Sequence, residues 1–288
     1  MKLLLQLSAV LLFSSINAQS LTDNPMDAMF FYGDAMHNLI EGKNRDFAGD
    51  QFYRAFNSYI SDENGFALNP EDLKTISILT SEDASFKIFS WLVKGENASR
   101  YFGFIIYPDG SFKELNSQNN LDSALAYASN TAEDWYGALY YNMMKLEENK
   151  YLVFGYNEVS RFKKQKLVDV ITINGDEIIF GEEIFEDKED LGTYLNRIVL
   201  DYSADAGVNL NYNPSLEMIV HDHLTQRMGQ LEGQGPTNVP DGTYEGYKLA
   251  DGKWMYEEKL FNHSYGENNA PRPKPVLNKN SVFKKKKK

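Results

Sequence analysis

From about residue 72 onward the chain is a succession of short runs rich in Ile, Val, Phe and Tyr, several of them divided by tight-turn signals. Pro108-Asp109-Gly110 separates residues 101–107 from 112–115, Asn174-Gly175 ends the run 167–173, and Asp251-Gly252 separates 244–249 from 253–256. Turns this short reverse a strand onto its neighbour, whereas a parallel partner needs a crossover of about a dozen residues. Further strand-like runs lie at 73–79, 85–93, 136–144, 151–156, 198–202, 208–212 and 216–220, with no regular strand–helix alternation. The expected body, over residues 66–262, is therefore β-rich and predominantly antiparallel. Residues 117–132 fit a short helix around Leu121–Ala128 or another strand, and 223–242, with its Gly, Pro and Gln, reads as a long surface loop.

Residues 19–65 have a different period. Asn24-Pro25 supplies a helix cap followed by an N1 proline. Met26, Met29, Phe30, Met36, Leu39 and Ile40 then fall near helical spacing, as do Ala48, Phe52, Ala55, Phe56, Tyr59 and Ile60. The fold class expected is α+β: an N-terminal helical hairpin packed on the β-rich domain, with a disordered basic tail.

The two ends carry addresses rather than fold. Residues 1–18 have the Lys2 n-region, an apolar stretch over 3–13 and the small-residue end Ile16-Asn17-Ala18 of a secretory signal peptide. That stretch is too short to cross a hydrocarbon core of about 30 Å as a helix. Residues 263–288 read as a Pro/Lys-rich tail ending in Lys284, Lys285, Lys286, Lys287 and Lys288. The formal charge of −12 divides unevenly: residues 271–288 hold eight basic residues and no acid, while 19–270 hold 20 basic and 41 acidic residues, a balance of −21. An acidic body lacks the counter-charge that nucleic acid requires, so no nucleic-acid partner is expected. The tail suits an envelope protein or an anionic membrane surface, and no transmembrane segment is expected in the mature chain.

With no cysteine, the chain cannot use disulfides, thiol catalysis or Cys-ligated metals. Phosphate-loop, dinucleotide, nucleophile-elbow and H-E-x-x-H motifs are missing, and no cofactor is expected. The one metal-like pattern is His221-Asp222-His223. On a strand continuing 216–220 both imidazoles project to one face, as zinc ligands would, with a distant carboxylate needed as third ligand. Otherwise one histidine packs and the other ends the strand. The acidic run 182–190 is either a cation-attracting loop or a solvated face. Among the aromatics, Trp135, Tyr136 and Trp254 would stack on a sugar or peptide if exposed, or fill the core if not.

Phe89-Ser90-Trp91, Tyr101-Phe102-Gly103 and Trp135-Tyr136-Gly137-Ala138-Leu139-Tyr140-Tyr141 resemble marks of an uncharacterised secreted family of Bacteroidota. Val168-Asp169-Val170-Ile171-Thr172, Asp222-His223-Leu224, Asp241-Gly242-Thr243-Tyr244-Glu245-Gly246-Tyr247 and Gly252-Lys253-Trp254 extend the likeness over residues 89–258. The resemblance implies an exported, strand-rich cell-envelope protein and carries over no catalytic residue. That phylum's type IX export cargo ends in a folded signal domain, which the lysine tail does not resemble, so periplasmic retention is expected over release. The reading is a non-enzymatic exported binding or accessory protein of the bacterial cell envelope, for instance a soluble component of a secretion or motility machine. The alternatives are a metal-assisted hydrolase using His221 and His223, or a carbohydrate-binding protein.

Overall fold

The computed structural model describes residues 24–117 and 123–260; the signal-like segment 1–18 and the tail 263–288, with Lys284–Lys288, lie outside the described residues. Asn24 caps α1 (Pro25–Asn38), its Oδ1 accepting the Met26 N–H at 3.0 Å. After a short turn, α2 (Gly42–Asp62) runs back and buries Ala48, Phe52, Phe56 and Ile60 on one face, as helical spacing dictates.

The hairpin lies on a four-stranded sheet of β1 (Ser77–Thr80), β2 (Lys87–Lys94), β3 (Ser99–Ile106) and β4 (Phe112–Leu115), antiparallel throughout and in sequence order. Phe89, Trp91 and Val93 of β2 face the helices, where Phe52 and Phe56 meet Trp91 edge-on with ring centroids 5.2 Å apart. Gly49 permits the close approach of α2, since a Cβ there would meet Val93 Cγ2 at 2.6 Å. The alternate residues Ile88 and Leu92 face the other way, into a second sheet.

That second sheet is the middle layer. It holds β5 (Asn130–Thr131), β6 (Leu139–Glu147), β7 (Lys150–Glu158), β8 (Lys163–Asn174) and β9 (Glu177–Phe180) in the order β5-β9-β8-β7-β6. Along β8, Leu167 and Ile171 face the cap sheet while Val168 and Val170 face the opposite way. The third layer is built from β10 (Phe185–Glu186), β11 (Tyr194–Leu195), β13 (Leu210–Asn213), β14 (Met218–Met228), β15 (Pro236–Ala250) and β16 (Lys253–Glu257), while β12 (Ile198–Ser203) pairs with β8. Helices and three sheets thus stack in four layers, with two sheets covered on both faces.

One buried ion pair sits inside this stack. Asp169 of β8 and Arg197, just before β12, are both wholly buried, with Arg197 Nε donating to Asp169 Oδ2 at 3.0 Å. The guanidinium also donates to the Leu125 carbonyl and to Asn130 Oδ1, and its centre lies 4.6 Å from the Tyr136 ring. Burial pushes the Asp169 carboxyl up, opposed by Arg197, by the Tyr136 hydroxyl and by the Val170 N–H. The cation thus secures the 123–130 segment, β8 and the β12 approach together.

Two expectations are corrected. Residues 223–242 are not a loop: β14 continues through His223 to Met228, β15 begins at Pro236, and only 229–235 turn the chain. The prolines are tolerated because Pro236 and Pro240 lie outside the Gly246–Ala250 stretch of β15 that pairs with β16. The acidic run 182–190 is not one solvated face, because Phe185–Glu186 forms a strand within the outer sheet. Glu186 Oε2 accepts the Tyr256 N–H there at 2.9 Å. Within 117–132 the described residues hold both a short 3-10 helix, Ser123–Ala126, and the two-residue strand β5.

Replacing Arg197 by Leu leaves a buried, uncompensated carboxylate and is expected to lower unfolding free energy by about 3–5 kcal/mol in urea titrations. Adding Asp169→Leu should recover a substantial part of that loss. Phe56→Ala, which opens a cavity beneath the helices, is expected to cost about 3–5 kcal/mol in the same assay.

Candidate functional site

The two histidines singled out in the sequence fall where the β14–β15 pairing is interrupted. His221 lies opposite Glu245 and Asp222 opposite Tyr244, but the next paired residues are Leu224 and Pro240. His223 therefore faces three residues of β15, Asp241, Gly242 and Thr243, with Gly242 at φ +91°. Asp241 orders this bulge, its Oδ1 accepting the Thr243 N–H at 2.9 Å and the Thr243 hydroxyl at 2.7 Å.

The bulge brings the His223 ring between two carboxylates. Nδ1 lies 2.7 Å from Asp241 Oδ2, and Nε2 lies 3.5 Å from Glu245 Oε1. His221 approaches the same Glu245 from the buried side, with Nε2 at 4.0 Å from Oε2, and Lys188 Nζ reaches that oxygen at 3.5 Å. His221 Nδ1–H donates to the Asp222 carbonyl at 3.0 Å. That bond fixes the neutral tautomer and leaves Nε2, a bare acceptor with no hydrogen-bond partner, facing the carboxylate. Asp222 turns to the other face, accepting the Asn209 N–H at 2.7 Å. Burial holds the His221 pKa below that of a free imidazole; Lys188 adds to this, while the Asp222 carbonyl and the Glu245 and Asp222 carboxylates oppose it.

The result is a semi-buried charge cluster of His221, His223, Asp241, Glu245 and Lys188. Both histidines converge on one carboxylate, yet among the described residues no group of three His, Asp or Glu side chains is placed to hold a metal ion. What the cluster can do is exchange protons: an ammonium already offsets Glu245, and burial makes the His221 imidazole resist taking up a proton as pH falls. The sequence pointed to the histidines alone. Glu245 lies 22 and 24 positions from His223 and His221, and Lys188 35 and 33, with the contacts made by strand pairing that spacing does not report; Asp241-Gly242-Thr243 stood out only within the family resemblance.

The aromatic candidates lie elsewhere, inside the cores. Trp135, Tyr136 and Trp254 are 0%, 1% and 2% exposed, and so offer no stacking face to a sugar or peptide. Trp135 Nε1 donates to the Tyr140 hydroxyl at 2.9 Å, and Tyr136 and Tyr140 share a 2.8 Å hydrogen bond beside the Arg197–Asp169 pair. Trp254, in β16, packs edge-on to Tyr212 in the core between the middle and outer sheets. The physical reason is the layering: a sheet covered on both faces buries the aromatics of both.

The fold defines a layered α+β protein with a helical cap. No protein-family model, curated protein or solved structure matches this chain.

A free imidazole titrates near 6.5, so the unfolded chain takes up a proton at His221 before the folded chain does. The stability contributed there is complete above about pH 6.5 and is lost as pH falls toward the depressed folded value. Thermal melts from pH 7.5 to 5 should show a downward slope that His221→Gln makes shallower, while leaving the melting point at pH 7.5 within a few degrees.

Proposed function

We propose that this protein is an exported, non-enzymatic accessory protein of a bacterial cell envelope, retained in the periplasm, that binds a protein partner through its helical hairpin. The observation that carries this reading is the outer face of that hairpin. Phe31 and Phe47 are 52% and 59% exposed and are linked through Tyr32, with ring centroids 5.1 and 6.4 Å apart. Phe30 is half exposed beside them on α1, and Ile40, in the interhelical turn, is 94% exposed. Exposed aromatic side chains linked across two helices on an acidic, charged body mark a contact surface rather than ordinary surface scatter. Their position fits a partner that receives the aromatic face of two antiparallel helices.

The sequence of the ends supports the same reading. The signal-like residues 1–18 direct the chain out of the cytoplasm, and the run Lys284–Lys288 supplies attraction to an anionic surface of about 1 kcal/mol per lysine near a membrane. A soluble component of a secretion or motility assembly is one role of this kind. No helix among the described residues is long and apolar enough to cross a membrane.

The test is crosslinking and affinity capture of the tagged protein from its own envelope, alongside a Phe31→Ser/Phe47→Ser variant. One defined partner should be captured by the unaltered protein and reduced at least tenfold with the variant, whose melting temperature should stay within a few degrees because both rings are exposed. Equal capture by the two proteins would remove the hairpin from the interaction.

A further inference from the structure

A second recognition site lies where the first two sheets part. Strand β1 leaves β2 after the Ser77–Ser90 pair, so the β2 stretch from Trp91 to Lys94 continues without it. The start of β6 is fastened at this point: the Ser77 hydroxyl donates to the Tyr140 carbonyl at 2.5 Å, and the Tyr140 N–H donates to Ser90 Oγ at 2.9 Å. Between the diverging elements and the last turn of α1 is a cavity of about 420 Å³. That volume lies within the roughly 300–1,000 Å³ of small-molecule sites.

The walls have one chemical character. Tyr141 and Tyr156, both half-buried, provide aromatic surface, with Ile76, Leu92 and Leu139 between them. The Tyr141 hydroxyl is committed to the Leu210 carbonyl and that of Tyr156 to Glu158, so these rings are held in place as walls. The Trp91 side chain is wholly buried in the core beneath the helices and closes the cavity from behind without presenting a face to it.

Three basic side chains join the lining: His37, Lys74 and Lys94. His37 Nε2–H donates to the Thr75 carbonyl at 2.8 Å, and Lys94 donates to Glu158 at 2.6 Å. Lys74 is exposed and has no hydrogen-bond or ion-pair partner among the described residues. No Asp or Glu lines the cavity, although residues 19–270 carry a balance of −21. With Lys94 paired to Glu158 and His37 bonded to Thr75, Lys74 is the one lining cation left uncommitted among the described residues.

We propose that this cavity binds a small aromatic carboxylate, its ring against Tyr141 and Tyr156 and its carboxylate toward Lys74. Aromatic walls favour a flat ring through offset or edge contacts over a flexible aliphatic chain. An unpaired ammonium at the mouth selects an anionic head over a neutral one. The site is separate from the hairpin face and does not depend on the protein partner proposed for it.

The test is isothermal titration of the full chain with 3-phenylpropionate, its neutral counterpart 3-phenylpropanol, and decanoate as the aliphatic acid. Saturable binding of 3-phenylpropionate is expected, at least tenfold tighter than either comparison compound. Lys74→Glu should weaken it about tenfold, and Leu139→Trp, which fills the cavity, should abolish it. Lys74→Glu, at an exposed position, remains decisive if the filled variant misfolds. Absence of saturation at millimolar 3-phenylpropionate, equal or tighter binding of decanoate or the alcohol, or unchanged binding by Lys74→Glu would overturn the proposal.

Discussion

The Arg197–Asp169 pair is the interaction on which the middle of this molecule depends. A carboxylate on β8 faces a layer that otherwise holds Leu167, Ile171, Tyr136 and Tyr140, and water does not reach it. Such a charge is tolerable only with an opposite charge and filled hydrogen-bonding positions around it. Arg197 meets both needs, and its planar fork also reaches Leu125 and Asn130. A lysine would bring one point of charge and could not span those three directions. The pair therefore fixes the relative positions of segments far apart in the chain, which apolar contacts of the same area would leave less specified.

Burial on both faces explains what was legible from residue order and what was not. The helices were readable because Asn24-Pro25 is a local start signal and the apolar spacing in α1 and α2 has a helical period. The hairpins at 107–112, 174–177 and 250–253 were readable because their turns are set by two or three adjacent residues. Strands β10 and β11 were missed: each is two residues long, and β10 is joined to β16 by a single parallel register pair, Phe185–Trp254. Nothing local announces a contact across about 70 residues. The β14–β15 ribbon was obscured for the opposite reason, since its Gly and Pro residues resemble a loop unless the pairing partner is known.

The candidate sites divide in the same way. Two histidines at alternate positions could be placed on one face from strand geometry, and their common neighbour Glu245 follows from strand register alone. Trp135, Tyr136 and Trp254 were ambiguous because an aromatic on a strand looks the same in sequence whether its sheet is bare or covered. The cavity beside Trp91 left no sequence mark, because it is made by the divergence of β1 from β2 and of one sheet from another. Sites between layers are properties of packing, and composition cannot report them.

The place of β16 in the outer sheet has a consequence for the order in which the molecule can assemble. Although it is the last strand among the described residues, β16 lies between β10 and β15 rather than at an edge. A chain emerging from its N-terminus can build the helical cap, the cap sheet and most of the middle sheet from contacts between neighbours in sequence. The outer sheet must wait for residues 253–257, and until they arrive β10 and β11 have no partner beyond each other. Completion of the outer sheet is thus coupled to the arrival of β16, and the closing step is a long-range one, slow relative to the hairpins that precede it.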